Sequence, residues 1–236
     1  MVGVNRYVSE LRELPPKSWD EYLVTHSGLP GVRANLELAD AFASIASRAL
    51  IVAFADRDEE YLRFCGTQGL GRVVSDEPDA AEPLALLRAR ASDGRWRVRE
   101  AAARGLQIVG DAHPEVLCSI ASAWLDDADP YVRRAALAAL CEPRLLKHPV
   151  VRERALRACV AATESIAALP SAARRGPAVR TLRQALGYCW SVAVAAAPGE
   201  GVPEFERMRR SQDEDVRWIV RSNLTKARLK RVMPAG

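Results

Sequence analysis

The chain has 236 residues, of which 49% are hydrophobic and 27% charged, and a formal net charge of +4. That length and balance suit a packed globular or repeat architecture and exclude a disordered acidic tail or a collagen-like chain. The charge is unevenly spread: residues 1–90 carry 10 Lys/Arg against 14 Asp/Glu, whereas residues 91–236 carry 24 against 16. The C-terminal part is therefore suited to attract phosphates or an acidic protein surface. Only four of the basic residues are Lys, and Arg is the better bidentate partner for phosphate, although a GC-rich genome produces the same bias.

The N-terminal segment 1–27 reads as a cap. Val8, Leu11 and Leu14 recur at helical spacing and Pro15-Pro16 stops that helix. Ser18 is placed to cap a short helix carrying Trp19, Tyr22 and Leu23. A turn, Gly28-Leu29-Pro30-Gly31, leads into Val32-Arg33-Ala34-Asn35, read as a helix start, with the helix continuing through Phe42, Ile45 and Leu50. Asp56 to Glu60 breaks the apolar pattern and supplies negative charge to the next helix start.

Phe64 to Arg72 is glycine-rich. It lacks the Gly-x-Gly-x-x-Gly spacing and the Gly-Lys-Ser/Thr ending of phosphate loops, and no strand pattern precedes it. Close helix approach is the expected role of these glycines. An acidic loop from Asp76 to Glu82 follows, and Pro83 opens a further helix.

The next stretch organises the chain. Asp93-Gly94-Arg95-Trp96-Arg97-Val98-Arg99 is echoed 34 residues later by Asp127-Ala128-Asp129-Pro130-Tyr131-Val132-Arg133. Each copy runs into an Ala-rich helix, with a third helix from His113-Pro114 between them. Period-2 alternation of useful length is absent. A helical pattern spans Val150 to Leu169, a basic loop runs from Pro170 to Gly176, and Pro177-Ala178-Val179-Arg180 starts another helix. The loop is the best candidate for an inserted, mobile segment. Ala185 to Ala193 is apolar on nearly every face, so Tyr188 and Trp190 are expected in the core. The last copy is Asp213-Glu214-Asp215-Val216-Arg217-Trp218-Ile219-Val220. Val-Arg thus begins helices at 32, 98, 132, 179 and 216, spacings of 66, 34, 47 and 37. Repetition at that period predicts an all-α fold, an α-solenoid of about five to six helical hairpins, forming one domain with repeats over 28–231 and a tail over 232–236.

These phrases resemble the HEAT-repeat family, whose motif places Asp six residues ahead of an Arg that follows Val. Asp93/Arg99 and Asp127/Arg133 match in full; the copies at 180 and 217 have Arg174 and Ser211 in the Asp position. The resemblance implies that most such arginines pair between neighbouring repeats. End to end, the chain is similar to uncharacterised bacterial HEAT-repeat proteins, through Leu29 to Leu36, Phe64-Cys65-Gly66, Arg95 to Glu100, Ala185 to Trp190 and Asp215 to Trp218. A weaker similarity, through Tyr131 to Ala136 and Ala185 to Tyr188, is to HEAT-like alkylpurine DNA glycosylases. It implies a phosphate contact for Arg134, but that family's Trp-Trp-Asp segment is missing. Glu100 is then the one speculative catalytic acid.

Catalytic groupings are not otherwise legible. His26, His113 and His148 are isolated, the five cysteines form no Cys-x-x-Cys pair, and no metal or cofactor site is expected. The cysteines read as small core residues in a reducing cytoplasm, and no apolar run is long enough to span a membrane. The leading expectation is a non-catalytic scaffold that binds a macromolecular partner, a protein, with nucleic acid as the alternative. Arg97, Arg134, Arg183 and Arg221 are expected on the exposed faces of second helices, with Arg174 and Arg175 nearby and Trp96 and Tyr131 partly exposed at helix starts.

Overall fold

The computed structural model describes residues 2–78 and 81–233. Part of the acidic 76–82 segment and most of the expected tail lie outside the described residues. Among the described residues there is no strand, and the fold is all-α, of the helical-hairpin solenoid class.

The chain forms two compact units, Met1–Val109 and Gly110–Gly236. The first contains α1 (Val2–Glu13), α2 (Trp19–Thr25), α3 (Leu36–Ile45), α4 (Arg48–Ala55), α5 (Glu60–Asp76) and α6 (Ala81–Ala91). Helix α7 (Trp96–Ala112) carries the chain across the division. The second unit holds α8 (Pro114–Leu125), α9 (Pro130–Leu140), α10 (Pro149–Ala167), α11 (Pro177–Ala196), α12 (Pro198–Arg209), α13 (Glu214–Leu224) and α14 (Ala227–Lys230). The hairpins are α4/α5, α6/α7, α8/α9, α10/α11 and α12/α13, and their second helices start at residues 60, 96, 130, 177 and 214.

Local chemistry sets these starts. In the first unit, side chains cap the helices: Asn35 accepts from the Leu38 amide at 3.1 Å, Ser47 from Leu50 at 3.3 Å and Glu59 from Leu62 at 2.6 Å. In the second, proline opens α8, α9, α10, α11 and α12, where its fixed φ suits the first turn and its missing N–H costs nothing.

The core of the first unit is built on α5, buried continuously from Tyr61 to Gly71. A methyl group on Gly66 would lie 2.0 Å from the Ala55 nitrogen, and one on Gly71 2.0 Å from the Gly105 carbonyl oxygen. These two glycines let backbones approach closely, as the sequence predicts. Trp19, Phe42 and Phe54 continue the core as an edge-on and then a stacked pair, with centroids 5.9 and 5.0 Å apart. In the second unit Trp190 is the central side chain. Its indole N–H donates to Thr163 Oγ1 at 2.9 Å and its ring meets Phe205 edge-on.

Four expectations need correction. Val32-Arg33 does not begin a helix: the segment is bent, Val32 is 88% exposed, and α3 starts at Leu36 behind its Asn35 cap. The phrase in this repeat is Leu62-Arg63 on α5, with Leu in place of Val. The helix expected through Leu50 is interrupted at Ala46, because Ser47 caps a new one. Ser18 makes no side-chain cap; its backbone N–H closes a 3-10 turn onto Pro15 at 2.9 Å. Tyr188 is 43% exposed, because it sits on a stripe of α11, with exposed Arg180 and Gln184, where only the Arg228 guanidinium from α14 lies over its ring.

Candidate partner-binding face

Repeat junctions are sites where arginine does structural service. A helix end leaves carbonyls unsatisfied, and a guanidinium has enough donors to serve two of them and still reach a carboxylate. Arg63 does this in the first unit. It donates to the carbonyls of Arg57 and Asp56, just past α4, and its third arm reaches Asp93 Oδ2 at 3.1 Å in the neighbouring repeat. Both side chains are almost fully buried. Arg99 and Arg133 likewise bond the backbone of the loops before their own helices, Arg99 to the Asp93 and Gly94 carbonyls and Arg133 to the Asp127 carbonyl.

Arg174 occupies the same role in the second unit from a different sequence position. It donates to the carbonyls of Ala167 and Leu169 at the end of α10 and pairs with Asp213 and Asp215 at the start of α13. Burial pushes the Asp213 carboxyl up, but Arg174 and the amides of Val216 and Asp215 outweigh it and hold the group below its usual value. Arg180, which stands in the Val-Arg phrase, is exposed instead. The basic loop from Pro170 to Gly176 is therefore tied down at its centre by Arg174 rather than left as a free insertion.

The residues expected on a partner face divide between the units. In the first, Trp96 is 55% exposed at the start of α7. The Arg97 guanidinium lies over its ring, 4.6 Å from the centroid, and donates to Glu60 Oε2 and the Gly31 carbonyl, each at 3.2 Å. Glu100 is half-buried one turn further along α7. Sequence reasoning missed the polar network beside them. Fully buried Gln68 donates to Asp40 at 2.6 Å, and Arg104 donates to both, at 2.7 Å to Gln68 and 2.6 Å to Asp40. The signal for it was a glutamine inside the stretch of small and apolar residues from Phe64 to Gly71.

In the second unit Tyr131 and Arg134 are half-buried on α9, and Arg221 is exposed on α13, one turn after exposed Arg217. Arg174, Arg175 and Arg183 come together with Arg180 around an open groove of about 550 Å³, whose opposite wall is Asp213 to Asp215. Arg183 pairs with Asp215 and covers the Trp218 ring at 4.9 Å. Arg97, Arg174 and Arg183 thus have their charge balanced within the chain. Arg175 and Arg221 are in no ion pair among the described residues.

The buried cysteines carry one notable cluster. Cys141 and Cys159 face each other at 3.9 Å, and buried Cys189 lies near Cys141. Contact with the neighbouring thiol, together with burial, raises Cys141 and Cys189, while burial raises Cys159, so all three are poor nucleophiles. Among the described residues no group of three His, Cys, Asp or Glu could hold a metal ion, and no helix is long and apolar enough to cross a membrane.

Helical hairpins joined by arginine rungs define this chain as a helical-repeat protein. More particularly, residues 47–141 match the family model described as HEAT repeats. No curated protein matches the chain. Among solved structures, an engineered protein is similar at 17% identity over 98% of this chain and 97% of its own, with a TM-score of 0.36. A designed armadillo repeat protein is similar at 17% identity over 88% of this chain and 98% of its own, TM-score 0.32. A designed armadillo repeat protein in complex with the peptide (KR)4 is similar at 14% identity over 93% and 97%, TM-score 0.37.

Proposed function

We propose that this chain is a non-catalytic HEAT-repeat scaffold that binds a protein partner through exposed positions on its second helices, acting in the cytoplasm. The observation that carries this reading is Trp96. A tryptophan left 55% exposed on a helix that buries Val98, Leu106 and Val109 is a cost unless something covers it, and tryptophan beside arginine is the common make-up of an interface hot spot. The five unpaired, buried cysteines fit a reducing compartment. The single-domain reading, with 1–27 as the cap of the repeat array, belongs to the same proposal. Affinity capture with the tagged full chain tests it. A stoichiometric protein partner retained by the native chain and lost by Trp96→Ala supports the reading, and the absence of any stoichiometric partner refutes it.

Nucleic acid is the second reading, favoured by the charge of the second unit. Residues 110–236 carry 20 Lys/Arg against 14 Asp/Glu, and Arg175 and Arg221 are unpaired. Binding to a labelled duplex across a salt series checks it: phosphate contacts predict a steep loss of affinity with salt, and no binding at low salt ends the idea. On a positive result, release of 3-methyladenine from methylated DNA tests the glycosylase variant of this reading, and unchanged release by a folded Glu100→Gln chain refutes Glu100 as its acid.

A further inference from the structure

The second unit carries a groove whose chemistry differs from its neighbours. Its volume is about 360 Å³ and its floor is aliphatic, made by Leu146, Val192, Ala195 and Ala196. Its rim holds three cations, Lys147, Arg152 and Arg228, and no carboxylate lines it. Two other grooves of this unit set carboxylates against their arginines. Asp213 to Asp215 face the arginines of one, and Glu153 and Glu200 line the other, which shares Arg152. Among the described residues Lys147, Arg152 and Arg228 make no ion pair. The acids nearest in sequence are occupied elsewhere: Glu142 pairs with Arg144 at 3.2 Å and Glu153 with Arg157 at 2.5 Å.

The rim is set in place by the fold. Lys147 ends a 3-10 turn anchored by buried Leu145 and Leu146, and Arg152 sits in the first turn of α10. The Arg228 guanidinium lies over the Tyr188 ring, 4.7 Å from its centroid. A guanidinium stacked on a ring uses its face and keeps its edge donors for a carboxylate. We infer that this groove binds an acidic peptide segment of the protein partner, seating one apolar side chain on the aliphatic floor with carboxylates against Lys147, Arg152 and Arg228. The inference rests on the protein-scaffold reading above.

Size and chemistry select this occupant. The volume is at the low end of binding pockets, enough for one or two side chains. A bare phosphate leaves the floor uncovered, and a wholly apolar ligand leaves three cations desolvated without partners. Single-stranded nucleic acid needs open aromatic faces for stacking, whereas the floor has none and the Tyr188 ring is already covered by Arg228.

The test uses the full chain and three fluorescein-labelled ten-residue peptides, read by anisotropy at low salt. One carries a single leucine flanked by glutamates; in the second serine replaces the leucine, and in the third lysines replace the glutamates. The leucine–glutamate peptide is expected to bind at least about tenfold more tightly than either control, and to lose at least about tenfold with Arg152→Glu or Arg228→Glu. Ala196→Trp, which fills the floor without touching a charge, is expected to abolish binding, and circular dichroism confirms that each variant is folded. Equal binding of the serine peptide, binding of the lysine peptide, or indifference to all three substitutions overturns the inference. Displacement of the peptide by a DNA duplex that depends on the same residues also overturns it and assigns the groove to nucleic acid. Capture of a protein partner by the Arg152→Glu and Arg228→Glu chains as efficiently as by the native one leaves the scaffold reading standing and removes this groove from it.

Discussion

Replacing Arg174 separates what the repeat phrase implies from what the packing does. Arg174→Ala removes two donors to the carbonyls that close α10 and the partner of Asp213. Its side chain is 19% exposed, and Asp213 and Asp215 are 21% and 13% exposed. Breaking a fully buried pair costs about 3–5 kcal/mol; these side chains are partly exposed and solvent screens them, so the expected loss is about 2–4 kcal/mol. Asp213→Asn keeps the oxygen that caps α13 through the Asp215 and Val216 amides while removing the charge. A urea-unfolding cycle of the two single variants and the double should show a coupling of at least about 1 kcal/mol. Arg180→Ala, at the position the phrase marks, is exposed and should stay within about 0.5 kcal/mol. Arg174→Ala costing less than about 0.5 kcal/mol, or Arg180→Ala costing as much as Arg174→Ala, would refute the reasoning.

The same pair makes an acid prediction. The Asp213 carboxyl is held below its ordinary value, so its contribution is fully present above the unfolded pKa, near about 3.9, and fades as pH falls through the lower folded value. Native stability measured from pH 6 downward should therefore drop more steeply below about pH 4 than that of Arg174→Ala. Gly66→Ala drives a methyl into the backbone at Phe54 and Ala55 and should cost about 3 kcal/mol or more, whereas Gly94→Ala, with nothing within 4 Å of the new carbon, should be close to neutral in thermal melts. The five thiols are all buried, so a thiol reagent at pH 8 should label none quickly in the folded chain and all five in denaturant; rapid labelling of Cys141 or Cys189 would contradict their raised values.

Asp93 to Arg99 and Asp127 to Arg133 were enough to announce a helical repeat, because capping, a fixed first turn and an apolar stripe are local properties that a 3.6-residue period displays directly. The proline starts of α8, α9 and α11, the glycine contacts of α5 and the exposure of Trp96 were legible for the same reason. Leu62-Arg63 was not, since leucine fills the buried position as well as valine and a dipeptide phrase cannot register that equivalence. Nor was Tyr188: the apolar stretch from Ala185 to Ala193 carries no mark of which of its faces the neighbouring helices leave uncovered. The charges behaved most differently from their sequence reading. Arginine reaches far enough to serve a carboxylate thirty to forty residues away, as Arg97 does Glu60 and Arg174 does Asp213. Which cations are spent on the fold, and which, like Lys147, Arg152 and Arg228, are left to rim an aliphatic groove, depends on what long-range packing brings within 4 Å. Repeat and helix content follow from near neighbours along the chain, and so the sequence alone determined them. The division of arginines between rungs and open surface is a matter of distances across the fold, which only the tertiary structure decided.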